Sequence, residues 1–345
     1  MNFLPKLWNY IKKLGLIVAL IVTVIGGGWV ANNYDISKSP KTFARQLIVE
    51  GDNALNIGRY VDAQRIFEAE LKENPQNKQA AWSLKIAQLG QTLSQPDFKD
   101  AIDTIYQQNP NDAHVNLFLG QFYAANNQPD KAIQHYTDAI RENPKLAEAN
   151  YNLALLYDQL GNYEAAKVEF LRAISSSPIP KYRNNLGTIY FKQKNYEEAI
   201  GEYVRNKKYP LSALESAKIY WRLEYLSQAL SYQKQAIDWL EDKTIMAEPE
   251  NEDAWYFEIA PGKRIELTTL EEKKSYAYFC LSVSLYLQGY GEGAEIAVKN
   301  SHDLNVTRQT DINELLTADL DALVQSNGSF AQQIAAYKQL YLYNL

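Results

Sequence analysis

Along residues 113–178 apolar side chains recur at helical spacing in short blocks, and the blocks repeat 34 residues apart. Leu153, Ala154 and Tyr157 fall on one helix face, Gly161-Asn162 interrupts it, and Tyr163, Ala166, Phe170, Ala173 and Ile174 make a second stripe. The preceding block carries Gly120, Tyr123, Ala132, Tyr136, Ala139 and Pro144. Shifted by 34, these become Ala154, Tyr157, Ala166, Phe170, Ala173 and Pro178. Small residues at Ala154 and Ala166 permit two helix axes to approach, and Phe170 fills the space between neighbouring pairs. Proline lacks the N–H that a helix interior needs, so each block is expected to close at its proline. Prolines at 75, 110, 144, 178 and 210, spaced 35, 34, 34 and 32, carry that punctuation beyond the two best copies. The pattern predicts successive helix pairs. One pair cannot bury its apolar face alone, so several must stack.

The same offsets place further pairs on either side. Leu47, Gly51, Tyr60, Ala63, Phe67 and Pro75 give a first pair starting near Ala44. The second is degenerate: Trp82 and Leu89 hold its first helix, and Asp97 to Ile102 open its second, with Ala101 at the small-residue position. Leu186, Gly187, Tyr190, Tyr196, Ala199, Tyr203 and Pro210 give a fifth, and Ala217, Tyr220, Leu226, Ala229 and Ala236 a sixth, ending near Leu240. Periodicity then stops. Two β-prone runs, Ala254 to Ile259 and Lys263 to Leu267, flank Pro261-Gly262 and predict a hairpin-like insertion, read as solvated or as an added contact surface. Helix resumes near Thr268, where Thr268 and Glu271 have capping-box spacing. A weaker seventh pair follows, with Tyr276, Gln288, Gly289 and Ala294. Asp311 to Gln325 and Ser329 to Leu342 predict two closing helices, the latter with Ser329 and Gln332 as a capping box.

The N-terminus changes the picture of location. Leu14 to Tyr34 is an uncharged run, roughly 31 Å long as a helix, which matches a hydrocarbon core of about 30 Å. Trp8 and Tyr10 precede it, and Trp29 and Tyr34 lie near its far end, as interface aromatics would. An uncleaved transmembrane helix is expected, because the run continues through Trp29, Val30 and Ala31. A cleavable signal peptide, with Leu14 to Ile25 as its apolar region and Gly26-Gly27-Gly28 at the cut, is the alternative. The expected organisation is a basic tail at 1–13, a membrane helix at 14–34, a linker at 35–43, the helix-pair array at 44–240, an insertion at 241–274, and a degenerate repeat with capping helices at 275–345. Lys6, Lys12 and Lys13 suggest a cytoplasmic N-terminus, and so an extracytoplasmic body.

Charge and chemistry narrow the function. The net charge of −6 argues against nucleic acid, whose phosphates need a basic footprint. Cys280 is the single cysteine, which excludes an intramolecular disulfide and a thiolate zinc site. No phosphate-cradling loop, zinc spacing or nucleophile elbow occurs. His114, His135 and His302 are isolated in sequence. The readings are therefore no enzyme, no cofactor, no metal and no small-molecule substrate.

The matched positions in adjacent 34-residue units resemble the tetratricopeptide repeat (TPR) motif. That resemblance implies an all-α, TPR-type α-solenoid of about six or seven helix–turn–helix repeats. It also implies that first-helix positions line a concave, peptide-binding groove. Carried over, these are His114, Leu117, Phe118, Gln121, Ala124 and Ala125 in the third repeat. In the fourth they are Glu148, Tyr151, Asn152, Leu155, Asp158 and Gln159, and in the fifth Lys181, Asn184, Asn185, Thr188, Phe191 and Lys192. The expected binding residues are Tyr151, Asn152, Asp158, Lys181, Asn184, Asn185 and Thr188. Carboxylate clamping is not expected, because the fourth repeat has Asp158 and lacks the lysine used for it. The implied partner is a protein or peptide segment held by stacking and amide hydrogen bonds. The implied setting is a bacterial inner membrane, where such anchored proteins assist assembly or traffic of membrane or envelope complexes. A regulatory or enzymatic activity in 241–345, recruited by the repeats, is the competing reading.

Overall fold

The computed structural model describes residues 40–260, 263–304 and 306–342, with side chains from residue 46 onward. The expected membrane segment at 14–34 lies outside the described residues. Among those described, no helix is long and apolar enough to cross a membrane.

Seven helix pairs follow one another. They are α1 (Pro40–Asn56) with α2 (Tyr60–Glu73), α3 (Lys78–Gly90) with α4 (Phe98–Gln108), and α5 (Ala113–Ala125) with α6 (Pro129–Glu142). Then come α7 (Ala147–Gln159) with α8 (Tyr163–Ser176), α9 (Pro180–Lys192) with α10 (Tyr196–Arg205), and α11 (Pro210–Arg222) with α12 (Leu226–Glu241). Two single-turn helices, α13 (Lys243–Met246) and α14 (Pro249–Glu252), lead to strands β1 (Trp255–Ala260) and β2 (Lys263–Leu267). The last pair is α15 (Leu270–Leu287) with α16 (Gly291–Asp303), followed by α17 (Gln309–Ser326), a 3-10 turn and α18 (Ala331–Tyr341).

The pairs share a backbone device that the side-chain pattern only hinted at. Six of the seven inter-helix turns contain one residue in the left-handed region: Gly58, Asn127, Gly161, Lys194, Glu224 and Gly289. In each, the next residue's N–H bonds back five positions, as from Asn162 to the Tyr157 carbonyl at 2.8 Å and Asn195 to Tyr190 at 2.9 Å. This is the bond that closes a Schellman helix end. The second pair lacks it, and its α4 is shortened. There Phe98, Ile102 and Ile105 form the buried stripe, while Ala101 is exposed, contrary to its expected role. Pro210 also departs from expectation. It opens α11 at the first turn, where its missing N–H costs nothing, rather than closing the fifth pair.

The chain divides into two compact units. The first reaches to Ala165 and includes Ser175–Ser177; the second comprises Ala166–Ile174 and Pro178 onward. Within the first, α1 touches α3, α3 touches α5 and α5 touches α7; within the second, α9 touches α11 and α11 touches α15. First helices of successive pairs therefore form the inner layer of each unit. The core of the second unit takes in the insertion. Trp255, Ile265 and Leu267 are buried with Trp221, Tyr276, Leu316 and Tyr337. The strands pair antiparallel, with Trp255 opposite Leu267 and Phe257 opposite Ile265. The hairpin is thus a core element, not a solvated loop.

Two caps are displaced from their expected positions. The box before α15 is Thr269 with Glu272, one residue later than expected. At the C-terminus, Asn327 accepts from the Ser329 N–H to cap the 3-10 turn, and α18 has no side-chain cap.

Candidate partner-binding site

In the first unit, the inner layer is closed by the chain's own first turn. Gly58, left-handed at φ +77, lies so near α7 that an added Cβ would sit 3.0 Å from the Glu148 carboxyl carbon. Asn143 Nδ2 donates to Asn56 Oδ1 at 3.1 Å. The Tyr60 ring meets Phe118 edge-on at 5.3 Å. Leu117 and Phe118, expected to line an open groove, are fully buried. His114 is half-buried, with its Nε2 enclosed and unbonded. Burial lowers its proton affinity, against the pull of Asp112.

In the second unit, the inner faces of α11 and α15 are filled by the hairpin and α17. Lys218, on α11, is buried and places its Nζ 2.7 Å from Glu215 and 3.4 Å from Asp319 of α17. Tyr276 of α15 donates to the other oxygen of Asp319. The Phe257 ring of β1 lies 5.3 Å from the Lys218 ammonium and 5.3 Å from the Tyr276 ring. Burial alone would lower the Lys218 pKa, but Asp319 and Glu215 raise it above the ordinary lysine range. Burial raises Glu215, opposed by Lys218. Beside them, burial pushes the Cys280 thiol far up, which holds it neutral and unreactive. Lys273 anchors the start of the hairpin, donating to the carbonyls of Asn251 at 3.1 Å and Asp253 at 2.7 Å. These charged groups are structural ties.

The seven expected binding residues divide between the units. On α7, Tyr151, Asn152 and Asp158 are half-buried, and Asn152 Nδ2 donates to Glu148 Oε1 at 3.3 Å. On α9, Lys181 pairs with Asp253 at 3.6 Å, Asn185 Nδ2 donates to the Lys181 carbonyl, and Thr188 Oγ1 donates to the Asn184 carbonyl. Asn184 does not belong with them. It is buried, and its Oδ1 accepts from Ser212 at 2.9 Å in a chain that continues to Asn206 and the Pro180 carbonyl. Sequence spacing placed it beside Asn185; helix rotation turns it to the next pair.

What sequence reading missed is an open cleft in the second unit, between second helices α10 and α12. It encloses about 380 Å³ over a floor of Ser212, Ala213 and Ser216 from α11. The signal was present in the pattern. The seventh residue of the first helix is Leu119, Leu153 and Leu186 in the third, fourth and fifth pairs, but Ser216 in the sixth.

Antiparallel helix pairs repeated along the chain, with inner layers of first helices and left-handed closing turns, define a helix-pair repeat protein. Residues 93–213 are tetratricopeptide repeats: the tetratricopeptide repeat family pattern matches residues 93–147, 117–178 and 151–213. It is 30% identical over 166 residues to human (Homo sapiens) tetratricopeptide repeat protein 6, covering 46% of this chain and 29% of that one. It is 35% identical over 80 residues to the Hsp70-Hsp90 organizing protein of Triticum aestivum, covering 23% and 14%. The chain thus spans less than a third of the length of these relatives. Among solved structures, the Cut9-Hcn1 hetero-tetramer of the APC/C matches at 13% identity with a TM-score of 0.49, over 86% of this chain and 55% of that one.

Proposed function

We propose that this chain is a membrane-tethered scaffold that holds a segment of another protein against its first helices. In this reading it assists assembly or traffic of membrane or envelope complexes, with its body on the outer side of a bacterial inner membrane. The carrying observation is the repeated helix pair itself, which presents half-buried aromatic, amide and hydroxyl side chains from rigid elements: Tyr151 and Asn152 on α7, Asn185 and Thr188 on α9. TPR relatives named for organising chaperones, or as a receptor for a peroxisomal targeting signal, support a protein partner. An activity housed in 241–345 has less support, because the charged groups there tie the hairpin and α17 to the core.

In-cell crosslinking and capture of the full chain tests the scaffold reading. A Tyr151→Ala, Asn152→Ala, Asn185→Ala variant should keep its helical circular dichroism and recover partners at least about tenfold less well, since each lost contact costs on the order of 1 kcal/mol. Asn184 is left intact because its loss would strike the core. Undiminished capture by the folded variant would sink the role of these faces. Resistance of the wild type to carbonate extraction, with an intact N-terminus, tests the tether.

A further inference from the structure

We infer that the cleft between α10 and α12 is a second, outward-facing recognition site, which takes an extended protein segment carrying an aromatic side chain next to a carboxylate. This rests on the scaffold reading and gives it a different surface. The inner faces of α11 and α15 in this unit are already occupied by the hairpin and α17, whereas the cleft is open and preformed.

Its shape follows from the sequence departure at Ser216. A leucine there, as in the three preceding pairs, would project into the floor. Serine and its neighbours Ser212 and Ala213 leave about 380 Å³ vacant, within the range of small-molecule and side-chain pockets. The floor is internally satisfied: Ser216 Oγ donates to the Ser212 carbonyl at 2.9 Å, and Ser212 Oγ to Asn184. It therefore accepts an apolar body at little desolvation cost.

The walls choose the occupant. Tyr203 and Val204 stand on one side, Tyr232 and Trp239 on the other. Tyr232 is held in place by Tyr220, stacked at 5.4 Å and 14°. Such walls favour an aromatic ring, through offset or edge contacts. On the rim, Gln228, Ser231 and Gln235 are exposed in one stripe at i, i+3 and i+7 of α12. None of the three side chains makes a hydrogen bond within the chain among the described residues, so they are available to the amides of an extended backbone. Lys207 is the one charged lining residue. It is exposed and has no ion-pair partner among the described residues, whereas Arg205 beside it is tied to Glu202. A carboxylate adjoining the aromatic anchor would find Lys207 free.

Random peptides displayed on phage are selected on the immobilised full chain. The selected peptides are then tested against variants. Ser216→Leu restores the floor residue of the other pairs, and Ser231→Trp blocks the mouth from an exposed position, so one remains readable if the other fails to fold. The expected result is peptides with Trp, Tyr or Phe within two residues of Asp or Glu. Their binding should fall at least tenfold on either cleft variant, fall on Lys207→Glu, and hold on the Tyr151, Asn152, Asn185 triple variant. Peptides that bind both folded cleft variants as well as the wild type overturn the proposal, as do selected peptides lacking the aromatic–acid pair. If binding instead falls only on the triple variant, the cleft fails while the scaffold reading stands. No peptide selected on the wild type removes both.

Discussion

Lys194 and Glu224 occupy the same left-handed position in successive turns, at φ 62 in both, where Gly161 and Gly289 serve in other pairs. A side chain with a Cβ is strained there by roughly 1 kcal/mol, which glycine avoids. Lys194 is exposed and its side chain has no hydrogen-bond or ion-pair partner among the described residues, so Lys194→Gly should raise stability by about 0.5–1 kcal/mol, less glycine's own unfolded-state entropy. Glu224 differs. Its Oε1 accepts from Asn327 Nδ2 at 2.7 Å and from Ser329 Oγ at 3.1 Å. Glu224→Gly would relieve the same strain but discard both bonds, each worth about 1 kcal/mol, so it should be neutral or destabilising. Denaturant titration of the two variants separates the effects; equal gains in both would show that the Asn327 and Ser329 contacts contribute nothing. These turns also show what sequence can hide. Glycine announces a left-handed residue, but lysine and glutamate in its place look like ordinary surface charges until the backbone is seen.

At the scale of elements, the helix pairs were legible because their pattern is local: period 3.6 within a helix, period 34 between pairs, small residues where axes approach. The hairpin was visible as a hairpin for the same reason, from two β-prone runs around Pro261-Gly262. Its burial was not, because Ile265 and Leu267 alternate with Arg264 and Glu266 just as a half-solvated strand would, and nothing local says which sheet face meets α15. The candidate site suffered likewise. Asn184 and Asn185 were both read as binding residues, yet the helix turns only one of them away from Ser212. The role of α17 was hidden in the same way, since Asp319 reads as a surface acid until Lys218 and Tyr276 are placed around it. Asp319→Ala would leave Lys218 with Glu215 alone and strip Tyr276 of its acceptor, a loss of about 3–5 kcal/mol by the usual cost of breaking a buried pair. The pH dependence gives a second reading. Asp319 raises the pKa of Lys218, so the stability it contributes is complete below the ordinary lysine value of 10.5 and drains as pH rises above it. The stability gap between wild type and Asp319→Ala should therefore narrow in alkaline solution. A gap that stays constant from pH 8 to beyond 10.5 would mean that the carboxylate acts through packing and not through charge.

At the scale of the molecule, the helix pairs of the second unit are followed by elements that do not repeat and that cover the inner faces of pairs six and seven. Terminal repeats need such covering, because the last inner face would otherwise meet water. Here the covering is large. Ile312, Leu315, Leu316, Leu320 and Leu323 of α17 are all buried, in the i, i+3, i+4, i+8, i+11 stripe of an amphipathic helix lying on α11 and α15. Full burial of one such side chain is worth about 1.5–3 kcal/mol, so five contribute on the order of 10 kcal/mol. That is comparable with the entire stability of an ordinary domain. α17 is therefore expected to be required for pairs six and seven to keep their structure. Ending the chain after Leu304 should strip amide hydrogen-exchange protection from residues 210–303, which in the full chain should match their burial. If those amides keep their protection in the shortened chain, α17 is a detachable cover, and the inner faces of α11 and α15 return as a surface on which a partner can bind.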